Sequence, residues 1–225
     1  MSASLLELLR LASPTLPVGA YSYSQGLESA IEAGLVRDPV SAASWIADCL
    51  AHSLAKLEAP VMLRLHRAWC AGDAATLAHW SEFFLASRDS AEFRAETLQM
   101  GYSLRRLLLD MQTGSDAQRA MLSGIEDIPF PAAWSYAAVL GSVDEHSALL
   151  GYLFSWAENQ VLAALKAVPL GQLAGQRLMH GLAPQIERAA QAALALADED
   201  ISNWTPGLSL LSMQHEIQYS RIFRS

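Results

Sequence analysis

Residues 143–168 read VDEHSALLGYLFSWAENQVLAALKAV, with Gly141-Ser142 before them and Pro169 after. Leu150, Phe154, Ala157, Val161 and Leu165 recur three and four residues apart and make one helical stripe. Leu149, Tyr152 and Trp156 fill a second face, so this helix is apolar on most sides and belongs in the middle of a bundle. Glu158, Asn159, Gln160 and Lys166 interrupt the run before about 20 apolar residues accumulate, which argues against a membrane span. Ser142 and Glu145 read as a capping box at its start, and Pro169 ends it.

The same pattern extends in both directions. Helices are expected over residues 4–12, 25–33 (Ser24 as cap, Gly34 as stop), 39–56 (Asp38 as cap) and from Pro60 onward. Others follow Asp73, then cover residues 90–111, 117–122, 131–140, 171–180 and 183–197. Alanine and leucine dominate, β-branched residues are few, and no alternating run reads as a strand. The chain therefore reads as all-α: a single-domain bundle of about ten helices over residues 1–203, then a tail over residues 204–225.

Composition narrows the function. Of the 225 residues, 52% are hydrophobic and 17% charged, against about 25% charged in an average domain. Either the core is large or apolar surface is covered by another copy or a partner. Net charge is −8, and only two of the 15 basic residues are lysines, so there is no basic stripe for nucleic acid. Cys49 and Cys70 form no CxxC pair and are expected as buried free thiols. The opening MSASLLELLR carries Glu7 and no cleavage site, so a cytoplasmic protein is expected.

No phosphate-binding Gly-rich loop, His-Glu-x-x-His or Gly-x-Ser-x-Gly motif is present. The six histidines are scattered; His215 beside Glu216 is the best candidate metal ligand, and a weak one. A protein that binds other proteins, rather than an enzyme, is the expectation.

Two segments stand apart from the bundle pattern. SPTLPVGAYSYSQG, residues 13–26, contains two prolines and two glycines that forbid regular helix, yet keeps Val18, Tyr21 and Tyr23. The tail ends HEIQYSRIFRS, with Tyr219, Arg221, Ile222, Phe223 and Arg224 among residue types enriched at interfaces. Such a tail either docks on its own domain or orders on a partner.

These segments carry a resemblance. LLRLASPTLPVGAYSYSQGLESAIEAGLV (residues 8–36), LKAVPLGQLAGQ (165–176) and HEIQYSRIFRS (215–225) resemble, in that order, three stretches of the urease accessory protein UreF family. Ala20 stands where that family commonly has a second glycine. The resemblance implies an all-α homodimer without turnover of its own. It implies partners: urease accessory protein D (H in some organisms), the GTPase accessory protein G, and apo-urease, into which the complex delivers nickel. No cofactor would be bound stably; nickel would be handled by the complex.

The implied contacts with the D protein are Pro17, Val18, Gly19, Tyr21, Ser22, Ser24, Gln25, Gly26 and Glu28, with His215, Glu216, Gln218, Tyr219, Ser220, Arg221, Phe223 and Arg224. The implied GTPase-facing residues are Lys166, Pro169, Gly171, Gln172 and Gln176. On its own chemistry, Lys166 could equally snorkel from an apolar helix to water. The competing expectation is a nickel carrier in its own right, using His215, Glu216 or the cysteines.

Overall fold

The computed structural model describes residues 2–225. Among them there is helix and no strand. The order is α1 (Ser2–Ala12), a 3-10 turn (Ala20–Ser22), α2 (Leu27–Glu32), α3 (Pro39–Cys49), a π-helical stretch (Leu50–Glu58), α4 (Ala59–Ala71), α5 (Ala74–Ala86), α6 (Ala91–Asp110), α7 (Asp116–Ser123), α8 (Phe130–Leu140), α9 (Glu145–Ala167), α10 (Gln172–Ala195), a second 3-10 turn (Asp198–Asp200) and α11 (Pro206–Glu216). No helix among the described residues is long and apolar enough to cross a membrane.

Helix α9 takes the central place its sequence implies. It packs against α10, α1, α4, α2, α3 and α8. Leu149, Tyr152, Leu153, Ala157 and Ala164 are buried along it. Its cap differs from expectation: Asp144, not Ser142, accepts from Ser147 N at 3.0 Å. Ser142 lies two residues ahead of that cap, in the left-handed region at φ 53°. The caps at Asp38, Asp73 and Ser90 form as their residue types dictate.

Two expected helix breaks are absent. Residues 39–71 run as one rod, because the backbone stays helical through Leu50 and through Glu58. Ala59 N reaches Leu54 O, an i to i−5 bond, and this widened turn makes room for the Pro60 ring where an α-turn would clash. Likewise α10 runs unbroken through residues 181–182, where the break was expected, and through Pro184, which faces solvent. There the freed carbonyl is open to water, while Leu178, Leu182, Ile186 and Ala190 keep one continuous buried face.

Helix α8 lies in the core with Trp134 and Tyr136 fully buried. Trp69 donates its indole N–H to Ala132 O at 3.0 Å and meets Tyr136 edge-on at 4.8 Å. Helix α6 approaches the turn before α8 so closely that a Cβ on Gly101 would stand 2.1 Å from Ile128 O. Only glycine fits there.

The tail does not stand away from a body of residues 1–203. Helix α11 packs on α2 and α6, and Phe223 and Ser225 are buried. Cys49 is buried, and burial pushes its thiol up to about 12. Cys70, expected buried, is exposed in the last turn of α4.

Candidate functional site: the joined N-terminal and C-terminal segments

The 13–26 segment turns tightly at Gly19 and Gly26, at φ 80° and 81°. Gly26, not Ser24, occupies the cap position of α2. Ser24 Oγ still accepts from Glu28 N in the first turn of α2, at 3.3 Å, and Ser24 makes a long-range contact as well. Its hydroxyl donates to Ser225 O at 2.5 Å, and the same oxygen accepts from Ser24 N at 2.6 Å and Gln25 N at 3.2 Å. One residue earlier, Arg224 N donates to Ser22 O at 2.8 Å. Residues 224–225 are thus stitched by backbone bonds to residues 22–25.

Beneath the stitch lies a charged layer. His215 is fully buried. Its Nε2 is 3.1 Å from Glu28 Oε2 and its Nδ1 is 2.9 Å from Glu92 Oε2. Both ring nitrogens face carboxylate oxygens, so both bonds are made when each nitrogen carries a proton. Arg221 Nη1 reaches Glu92 Oε1 at 3.1 Å. Glu28 also accepts from Ile222 N at 2.7 Å and Phe223 N at 2.9 Å. Glu216 accepts from Ala91 N at 2.9 Å, and Gln218 Oε1 accepts from Ser29 Oγ at 3.4 Å.

As for the weak metal candidate, the two carboxylates grip opposite edges of the His215 ring, so the three groups do not converge on one point. Among the described residues no group of three or more His, Cys, Asp or Glu is placed to hold a metal ion.

Lys166 joins the third stretch to the other two. Its Nζ lies 3.4 Å from Tyr21 O, 5.6 Å from the Tyr21 ring centre and 5.4 Å from that of Phe223. Pro169, Gly171, Gln172 and Gln176 lie exposed, at the α9–α10 turn and in the first two turns of α10. The three sequence stretches therefore form one surface.

Within the implied D-protein contacts, burial makes a division. Pro17, Tyr21, Glu216, Tyr219, Ser220, Arg221 and Arg224 are exposed; Gly19, Ser22, Gln25 and Gln218 are half-buried. Val18, Ser24, Gly26, Glu28, His215 and Phe223 are buried and hold the exposed ones in place.

The stitch also roofs a cavity of about 90 Å³ between residues 11–25, α6, α8 and α9. Its polar wall comes from residues that no motif signalled. Glu58 accepts from Tyr152 at 2.5 Å and from Arg88 at 3.3 Å. Glu96 accepts from Gln25 at 2.6 Å and from Ser225 Oγ at 3.1 Å, and Trp156 donates to Gln25 at 2.5 Å. Burial pushes the Glu96 carboxyl up to about 8. Burial and then the neighbouring Glu58 push the Tyr152 hydroxyl well above its usual range. Each carboxylate already has two partners within the chain, so this is a bonded network rather than a set of free reactive groups.

The family model UreF matches residues 36–183. A urease accessory protein UreF from Janthinobacterium sp. (strain Marseille) is 58% identical over 222 residues, spanning 99% of this chain and 98% of that protein. This chain belongs to the UreF family. Another urease accessory protein UreF, from Nitrosospira multiformis, is 54% identical over 222 residues, spanning 99% and 98%. One from Azoarcus sp. (strain BH72) is 52% identical over 223 residues, spanning 98% and 95%. The UreF match at residues 36–183 includes Lys166 and the α9–α10 turn but neither side of the stitch. The relatives are similar across nearly the whole chain. Membership in the UreF family supports a role in urease maturation.

Proposed function

We propose that this chain is a non-catalytic urease maturation factor. It acts in the cytoplasm as a homodimer and scaffolds accessory protein D (H in some organisms) and the GTPase accessory protein G on apo-urease while the nickel centre is assembled. Nickel is the cargo of that complex, not a resident cofactor of this chain.

The observation that carries this reading is the meeting of Lys166 with Tyr21 and Phe223. Segments far apart in sequence, each resembling a UreF stretch, form one surface with aromatic and arginine side chains outward. Such side chains anchor protein interfaces. The D protein would meet Tyr21, Tyr219, Arg221 and Arg224; the GTPase would meet Pro169, Gly171, Gln172 and Gln176. Lys166 lies where the two faces adjoin, so one partner's arrival can be felt by the other.

The alternative, a nickel carrier in its own right, has less support. His215 is buried with both nitrogens engaged.

Complementation tests the scaffold. Expressed in cells lacking their own F protein, the chain is expected to restore urease activity and to retain D and G on purification. Restoration of urease with neither partner retained would sink the scaffold reading. Calorimetry with nickel addresses the carrier: stoichiometric binding that His215→Ala abolishes would favour it.

A further inference from the structure

His66 and Cys70 stand four residues apart on α4, so both side chains leave the helix on one side. His66 is buried, and Cys70 is exposed in the last turn. The ring is held at one edge: His66 Nε2 lies 3.0 Å from Val143 O. A carbonyl only accepts, so Nε2 carries the hydrogen, and in the neutral ring Nδ1 keeps its lone pair. That nitrogen faces the surface thiol, with Nδ1 3.9 Å from Cys70 Sγ. Metal-binding histidines are oriented in this way, one nitrogen fixed by a backbone carbonyl and the other left to ligate.

We propose that His66 Nδ1 and Cys70 Sγ form a surface site for a divalent cation of borderline softness, zinc being the probe, with water completing the coordination. A tetrahedral zinc with bonds of about 2.3 Å to sulfur and about 2.0 Å to nitrogen sets the two donors about 3.5 Å apart. The observed 3.9 Å closes to that by a small rotation of the exposed Cys70 side chain. As the metal–sulfur bond forms, the S–H proton leaves to water, and nothing is oxidised or reduced. A hard cation such as magnesium prefers oxygen and gains nothing from this pair.

The surroundings favour a cation over a reactive thiol. Glu145 is held beside α4 by Arg67, at 3.0 and 2.8 Å. Burial and then Glu145 raise the Cys70 thiol, so it keeps its proton and is a poor free nucleophile. A bound cation replaces that proton and has a carboxylate nearby. Two protein ligands make an exchangeable site, weaker than the three- and four-ligand sites that hold zinc permanently. No residue of the three stretches takes part, so this site stands or falls independently of the scaffold reading.

Calorimetric titration of the whole reduced chain with zinc is expected to give one such site per chain. Cys70→Ser and His66→Gln should each weaken it at least about tenfold, the least that disturbing a metal's outer shell costs. The Gln amide can still donate to Val143 O, so His66→Gln spares the buried bond while removing Nδ1. Cys70→Ser alters an exposed atom and keeps the test decisive if His66→Gln does not fold. Two further readouts locate the metal. Zinc, and not magnesium, should slow labelling of Cys70 by an aromatic disulfide reagent in proportion to occupancy, with buried Cys49 silent throughout. Cobalt(II) in place of zinc should give a sulfur-to-metal charge-transfer band that Cys70→Ser lacks. Zinc binding that survives Cys70→Ser, labelling that zinc leaves unchanged, or an affinity unmoved by His66→Gln overturns the proposal.

Discussion

Gln25 donates its side-chain N–H to Glu96 at 2.6 Å inside the bundle, linking the stitched segment to α6. The carboxyl that accepts is buried, and burial raises it from 4.5 to about 8. The folded state therefore keeps a proton that the unfolded chain releases. Between those two values the unfolded chain binds fewer protons, so stability falls as pH rises through the window. Glu96→Gln is isosteric, can accept the same bond, and does not titrate. The expected result is a flatter profile in urea melts at pH 5, 7 and 9. At pH 9 the variant should be the more stable protein by more than about 1 kcal/mol.

His215 is the keystone of the buried charged layer. His215→Ala leaves Glu28 and Glu92 facing an empty site, and each buried polar group left without its partner costs about 1–3 kcal/mol. Because the layer lies under the tail, the loss should appear first as local release of residues 214–225. Limited trypsin digestion, followed by mass spectrometry, is expected to show rapid cleavage after Arg221 in the variant and slow cleavage in the parent.

The Lys166 ammonium touches two rings and a carbonyl at a largely exposed position, so it adds little to the fold. Lys166→Ala is expected to change unfolding free energy by less than about 1 kcal/mol. If the α9–α10 face receives the GTPase, affinity for purified protein G should fall by more than that change implies. Equal affinity in variant and parent would restrict Lys166 to an intramolecular role.

At Gly101 the 2.1 Å approach of an added Cβ is to a backbone carbonyl, which cannot swing aside as a flexible side chain can. Gly101→Ala should destabilise the protein by about 1–3 kcal/mol or more, although alanine is the better helix former in isolation. Thermal melts of the pair decide between the two effects.

Much of the fold was legible in the residues. The repeat along residues 143–168 identified the central helix, and Asp38 and Asp73 announced caps that the structure contains. Pro60 misled, because a proline in sequence declares only a missing donor and a bulky ring. Whether a helix continues past it depends on what the neighbouring turn and the solvent can absorb, and that is a tertiary matter.

The site was legible in part. The three stretches were visible as oddities and as a resemblance, but their junction at Lys166 was not. Glu28 was legible only as an implied contact with the D protein, and its bonds to Ile222, Phe223 and His215 appear only in the folded chain. Glu58, Arg88, Glu96 and Tyr152 come from separate elements at no recognisable spacing, and only the folded chain assembles them.

The widened turns at residues 50–58 set a rule for how this chain can vary in length. The wide turns of Leu50–Glu58 hold roughly one residue more than α-turns of the same sweep. Deleting one residue there would return the rod to ordinary α geometry and keep Met62, Leu65 and Trp69 on the face that they now bury. What it would remove is the bond from Ala59 N to Leu54 O and the room that this turn leaves for the Pro60 ring. A homologue one residue shorter in this stretch is therefore expected to lack the proline as well.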